Sequence, residues 1–439
     1  MIVAWAILKS LKKPGYALGL VLVMFGLEQF LQTRAAIFVQ RSSIINIGIG
    51  TAILFAAANW FSKNTKKIVL EPVHVATLAL IAFAFLSQIW TSSPGSYRRY
   101  FQGAIPYFVV FFVLAPLISL DKNGVKQGVR TAMFLGIPLV FLFVFVVTWE
   151  GRGIRLAAPV LSRGRMSFVS PPLALASMAG QTAILSIILI SKNKLIRLLQ
   201  FAAFAMATYV AFRTQSRGQL TAMTLVTLVC YPLANQGTKL KGMLFSIFGF
   251  AILAGFLYIL FNTFETGNIN RWTESSIRNG TEGRLEMSRR LLEAWATEGP
   301  FSILFGLGVN SSFHVAGFYV HILPAEILGE YGLLGMSLFL FIYINTFAKS
   351  VKIVRKLEHY PELRTEAIAM IALFVFSSFL SLKEGSLYGW PQLFFYAIAI
   401  SHLERHSRKF VAQQRSLRSI YMASFVQQHS NPVYQTGTR

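Results

Sequence analysis

Aspartate occurs once in this chain, at Asp121, and cysteine once, at Cys230. A single cysteine rules out an internal disulfide, so the redox compartment cannot be read from it. With one aspartate there is no Asp-x-Asp, the kind of paired carboxylate with which a sugar transferase holds Mg²⁺ or Mn²⁺. Glu282 and Glu286 could share a helix face, but Arg289 and Arg290 stand beside them. No Cys/His cluster offers a zinc site. A phosphate-bearing ligand would have to be held by arginine, with no metal and no cofactor. Charge of either sign is scarce: charged residues make up 13% of 439, against roughly 25% in a soluble domain. The balance is one-sided, with 41 Lys and Arg against 17 Asp and Glu. Those cations are spread over many short segments, which argues for anionic membrane lipids and against nucleic acid as the partner.

Apolar sequence is plentiful. Runs at 16–32, 44–61, 73–90, 105–120, 131–149, 170–190, 196–213, 218–234, 243–262, 324–347, 366–382 and 387–402 are long enough to cross a hydrocarbon core as helices. The expected fold is therefore all-α and polytopic, with about twelve transmembrane helices. The first run is long for a signal peptide and no small-x-small cleavage site follows it, so it is expected to stay as an anchor. Between the runs, lysine and arginine separate. Lysines at 9–13, 63–67, 122–126, 192–194, 239–241, 349–356 and 409 fall on one side, which the positive-inside rule makes cytoplasmic together with both termini. The other side carries arginines, and Lys383 is its one lysine. Residues 1–262 hold spans one to nine, 263–323 form a long outward loop containing helices, 324–402 hold spans ten to twelve, and 403–439 form a basic tail expected to be disordered beyond about residue 422.

Arginine presents a planar fork that grips two phosphate oxygens at once, whereas lysine is a point charge. An outward face armed with arginine thus suggests a phosphate-bearing ligand. In the long loop, Asn279-Gly280 reads as a turn, and a helix is expected from about Glu282 to Thr297, stopped by Gly299-Pro300. Within it Glu286 pairs with Arg290 and Arg289 with Glu293 at helical spacing, which leaves Arg284 without a helical partner. Arg217 closes the short polar turn 212–218 and opens the next span, where a helix N-terminus favours an anion. His321 precedes Pro324 at the outward start of span ten, and the partial positive charge there keeps an imidazole neutral, as a general base requires. Arg217, Arg284 and His321 are expected at one membrane face. Arg213, one turn from Arg217, and the pair Arg98 and Arg99 are further candidates for binding the ligand, with lipid headgroups as their plainer role. Glu330, about two turns into span ten, and Lys383, beside Glu384 at the outer end of span eleven, are candidates as well, with salt bridges as the alternative.

These residues also carry a family resemblance. Ser216-Arg217-Gly218 opens a span and Gly283-Arg284 opens a loop helix that carries Trp295. Pro300, Gly306-x-Gly308 and His321 follow, then Glu330 and Gly332-Leu333-Leu334-Gly335, and Trp90-Thr91-Ser92-Ser93-Pro94 ends span three. In this order the chain resembles the O-antigen ligase and O-antigen polymerase superfamily of bacterial inner-membrane glycosyltransferases, best over about residues 205–336. The family often has Asn after its histidine, where this chain has Ile322. The resemblance implies a GT-C-like helical transferase with its large loop in the periplasm, between spans nine and ten. It implies a glycan donor on undecaprenyl pyrophosphate, an acceptor that is lipid A-core or a growing glycan, and functional roles for Arg217, Arg284 and His321. Ligase and polymerase share this chemistry. A lipid-linked sugar transporter or flippase is the alternative from another class, disfavoured because charge lies at the faces and not at the midplane.

Overall fold

Backbone amides have no partner in hydrocarbon except one another, so long apolar runs wind into helices. The computed structural model of the chain describes residues 2–41, 43–64, 69–95, 104–149, 155–157, 172–235, 255 and 274–430. In chain order its helices are α1 (Ile2–Ser10), α2 (Gly15–Gln32), α3 (Ala36–Gln40), α4 (Ser43–Asn64), α5 (Pro72–Leu86), α6 (Ala104–Ser119), α7 (Gly124–Phe145) and α8 (Pro172–Ile188). Then come α9 (Lys194–Arg213), α10 (Arg217–Ala234), α11 (Glu274–Thr297), α12 (Pro300–Phe305), α13 (Ser311–Val315), α14 (Leu323–Lys356), α15 (Pro361–Ser381) and α16 (Pro391–Ser430). Among the described residues the only β pairing is an isolated bridge between Trp149 and Leu156. Among the described residues seven helices are long and apolar enough to cross a membrane, and α6 and α8 are shorter apolar helices. The chain thus has the make-up of a helical, multi-pass membrane protein. Of the run expected at 243–262 only residue 255 is described.

Three expectations are corrected. The helix expected from Glu282 starts at Glu274 and runs straight through Asn279-Gly280. An Asn-Gly turn needs flanking segments that fold back on each other. Here Arg278 donates to Glu282 at 2.7 Å across the would-be turn, and a helical hydrogen-bond ladder already in place extends cheaply. The span expected at 324–347 lies in α14, one of the seven, but it is not straight: the φ of 61° and ψ of −162° at Gly332 kink it. The tail expected to be disordered beyond 422 continues as helix to Ser430, an extension of α16. Polar composition did not prevent this, because α16 is anchored by the buried apolar stretch 393–400 near its start and a formed helix extends cheaply.

Ion pairs join the helices at one end of the bundle. Glu366 of α15 meets Arg130 of α7 at 2.6 Å and Lys126 at 3.5 Å. Glu71 at the start of α5 meets Lys349 of α14 at 3.0 Å, and Glu404 of α16 meets Lys356 of α14 at 2.7 Å. Glu366 lies near the start of α15, while Lys383 follows its other end, roughly 25 Å away along the helix axis. The lysine-rich end and the surface that carries Lys383 are therefore opposite ends of the bundle.

Candidate functional site

The site starts from a short turn. α9 ends at Arg213 and α10 begins at Arg217, so residues 214–216 must reverse the chain, and Gln215 does so at a left-handed φ of 53°. Thr214, Gln215 and Ser216 are buried, and Thr214 Oγ1 donates to the Ala211 carbonyl at 2.7 Å. A strained, buried turn fixes the position of the residue that follows it. That residue is Arg217, the first of α10. The next, Gly218, lets Lys383 lie across the first turn of α10: a Cβ at Gly218 would come within 2.4 Å of Lys383 Cδ. Gln219 then bridges the chain ends of α10 and α15. It donates to Glu384 Oε2 at 2.6 Å and accepts from Lys383 Nζ at 3.3 Å, while Lys383 and Glu384 pair at 2.9 Å. Burial pulls the Lys383 ammonium below its ordinary pKa; Glu384 opposes this, and the charges of Arg284 and Arg217 add to the fall.

α11 brings the second arginine. Its exposed face satisfies itself: Arg289 contacts Glu286 at 2.9 Å and Glu293 at 2.8 Å, and Arg290 contacts Glu286 at 2.9 Å. The hydrogen bonds from Arg289 and Arg290 hold the exposed Glu286 carboxyl down to about 2. The inner face packs on α14, with Leu291 fully buried against Gly329. Arg284 forms no ion pair with an acidic side chain among the described residues and is half-buried. A Cβ at Gly280 would lie 4.0 Å from Arg217 Nη2, so Arg217 meets α11 one turn before Arg284. Arg217, Arg284 and Lys383 line one open groove of about 490 Å³ together with Thr281 and Ile322. Apart from Thr221, its remaining wall is apolar. Leu225, Leu285, Phe379 and Leu382 line it and are 41%, 55%, 44% and 56% exposed on the outer surface of the bundle.

His321 is joined to this groove through Ile322, which caps the N-terminus of α14 as the position of Pro324 in the first turn predicts. Burial, and after it the charge of Arg284, hold the imidazole below its ordinary pKa, and Glu384 opposes them. The ring is therefore neutral at neutral pH, a proton acceptor within reach of the Arg284 charge and one residue from the groove lining. Among the described residues no group of three or more His, Cys, Asp or Glu is placed to hold a metal ion.

The other candidates lie elsewhere. Arg213 stacks its guanidinium 4.5 Å from the centre of the Trp149 ring and donates to Tyr209 Oη at 3.2 Å, outside the groove lining. Arg98 and Arg99 fall outside the described residues. Glu330 is 1% exposed and turned into the loop that precedes α13. Asn310 N donates to its Oε2 at 2.8 Å, and Ser312 donates to its Oε1 through N at 3.2 Å and Oγ at 2.6 Å. The glycine motif and Trp90 belong to the same support. Gly306 and Gly332 take left-handed φ of 80° and 61° and pack backbone on backbone, where either Cβ would come within 2.6 Å of main-chain atoms. Trp90 Nε1 donates to the Gly306 carbonyl at 3.2 Å, and Val309 N donates to Ser87 Oγ at 3.0 Å. These residues hold the segment that ends in His321. Gln219 escaped the sequence reading, because nothing local to a glutamine shows that its partners are 164 and 165 residues away. No family model and no curated protein matches the chain.

Proposed function

We propose that this protein is a membrane glycosyltransferase of the O-antigen ligase type, moving a glycan from undecaprenyl pyrophosphate to an acceptor hydroxyl at the periplasmic face. The observation that carries the reading is the groove. Three cations from three distant segments, Arg217, Arg284 and Lys383, line it beside a neutral histidine, and its other wall is exposed and apolar. A lipid diphosphate has both halves of that chemistry. The guanidinium forks and the ammonium match the phosphates, and the apolar wall offers a path for the isoprenoid chain in the bilayer.

In the reaction the acceptor oxygen attacks the anomeric carbon on the face opposite the phosphate. The acceptor O–H proton passes to His321, the new C–O bond forms, and the anomeric C–O bond to phosphate breaks with its electron pair on the diphosphate. Arg217 and Arg284 stabilise the charge that accumulates on that leaving group, the work of a metal in other transferases. One displacement inverts the anomeric centre and needs no covalent enzyme intermediate. In this reading the chain crosses the inner membrane about twelve times in a GT-C-like arrangement, with both termini and the Glu366, Glu71 and Glu404 ion-pair end in the cytoplasm. A polymerase differs only in taking a growing glycan in place of lipid A-core.

The test is transfer by the purified protein in nanodiscs, with a synthetic undecaprenyl-pyrophosphate oligosaccharide as donor, lipid A-core as acceptor, and EDTA present. Transfer is expected, and R217A, R284A and H321A are each expected to abolish it while eluting as folded protein. Near-normal product from all three variants overturns the assignment.

A further inference from the structure

Three residues before His321, at Phe318, the chain exposes aromatic surface that the reaction above does not use. The segment is fixed at both ends. Glu330 grips Asn310 and Ser312 at one end, and Val320 and Leu323 are fully buried at the other. Between them Gly317 turns at a φ of 75° with no other atom near its Cβ position, and the turn leaves Phe318 45% exposed. The rings pack on one another as one cluster, a small aromatic shelf whose exposed part is Phe318. Phe313 and Phe318 lie 5.9 Å apart, Phe318 and Tyr319 4.5 Å, and Tyr319 meets the His321 imidazole edge-on at 4.4 Å. Phe318 is also 5.7 Å from that imidazole. The residue after His321 lines the cationic groove, and the residues before it carry the shelf.

A large ring left exposed on a braced segment, in contact with the base, suggests a ligand for the ring face. The shelf's rings carry no charge, so it does not suit the diphosphate. It suits a ring with an apolar face and a polar edge, and a pyranose has both: its axial C–H bonds lie against an aromatic face while its hydroxyls stay free at the rim. We propose that Phe318, backed by Tyr319, forms the subsite for the acceptor sugar, laying a neutral pyranose on the exposed side of Phe318 so that its attacking hydroxyl reaches His321. The assignment rests on the transferase reading for the word acceptor, and on the shelf alone for the word sugar.

The experiment replaces each ring by leucine, which keeps an apolar side chain and the fold while removing the flat face. In nanodiscs, F318L and Y319L should raise the KM for acceptor about tenfold each, with donor KM and the slow hydrolysis of donor to water unchanged. F318W and Y319F should stay near the parent. Binding is measured separately by saturation-transfer NMR, using core oligosaccharide freed of lipid A by mild acid. Binding should persist in H321A and fade in F318L and Y319L. If the leucine variants keep the parent acceptor KM and oligosaccharide signal, the rings are a membrane-interface belt and the subsite is wrong. If no protein turns over but the oligosaccharide signal still depends on the two rings, the sugar site stands and the transferase reading falls.

Discussion

Replacing Glu330 separates a residue that binds substrate from one that builds the site. Its carboxylate accepts from Asn310 N, Ser312 N and Ser312 Oγ, all in a region closed to water. In E330A those donors lose their acceptor. A buried donor left unmade costs about 1–3 kcal/mol, so the two amides together cost roughly 2–6 kcal/mol, and the Ser312 hydroxyl offsets little of this because it too is enclosed. E330Q keeps one carbonyl oxygen for Ser312 but turns an NH2 toward the amide of Asn310, a single lost bond of about 1–3 kcal/mol. The penalty is local, because the 306–316 segment can open without the bundle unfolding. Hydrogen exchange on purified protein in nanodiscs reads it directly. The peptide covering 306–316 should exchange roughly 30-fold faster or more in E330A, less in E330Q, with the transmembrane peptides unchanged. Transfer should fall in the same order, because that segment leads into His321. If E330A exchanges like the parent yet loses affinity for the donor, the carboxylate is a substrate ligand and the reasoning here fails.

Two other tests bear on the electrostatics and on α11. Glu384 raises the His321 pKa against burial and Arg284, so E384Q should lower it further. A base works in its neutral form, so the acid limb of kcat/KM in the parent should lie below pH 6.5 and move to lower pH in E384Q; a limb that stays or rises would show that another group sets it. Gly280 sits inside α11 with ordinary room for a Cβ, so G280A should stabilise that helix by about 0.5–1 kcal/mol and leave transfer intact. Loss of stability would restore the Asn-Gly turn that the sequence suggested.

The pattern of helices was legible from the chain alone, since hydropathy is additive along the sequence and lipid leaves the backbone no choice but to pair internally. The isolation of Arg284 on its helix and the position of Arg217 at a helix start were legible too, because spacing of four residues and closeness to a helix end are local facts, whereas the helix end from which a neutral His321 was expected is not what lowers its pKa: burial and the Arg284 charge do. Tertiary structure decided the rest. Lys383 joins the groove because Gly218 leaves space for it and Gln219 and Glu384 grip it. Arg213 leaves the groove because Trp149 offers its face, and Glu330 is bound up in the loop before α13. In each case the deciding partner lies far away in sequence. What such a charged or polar side chain does depends on which partner reaches it first, and only packing settles that.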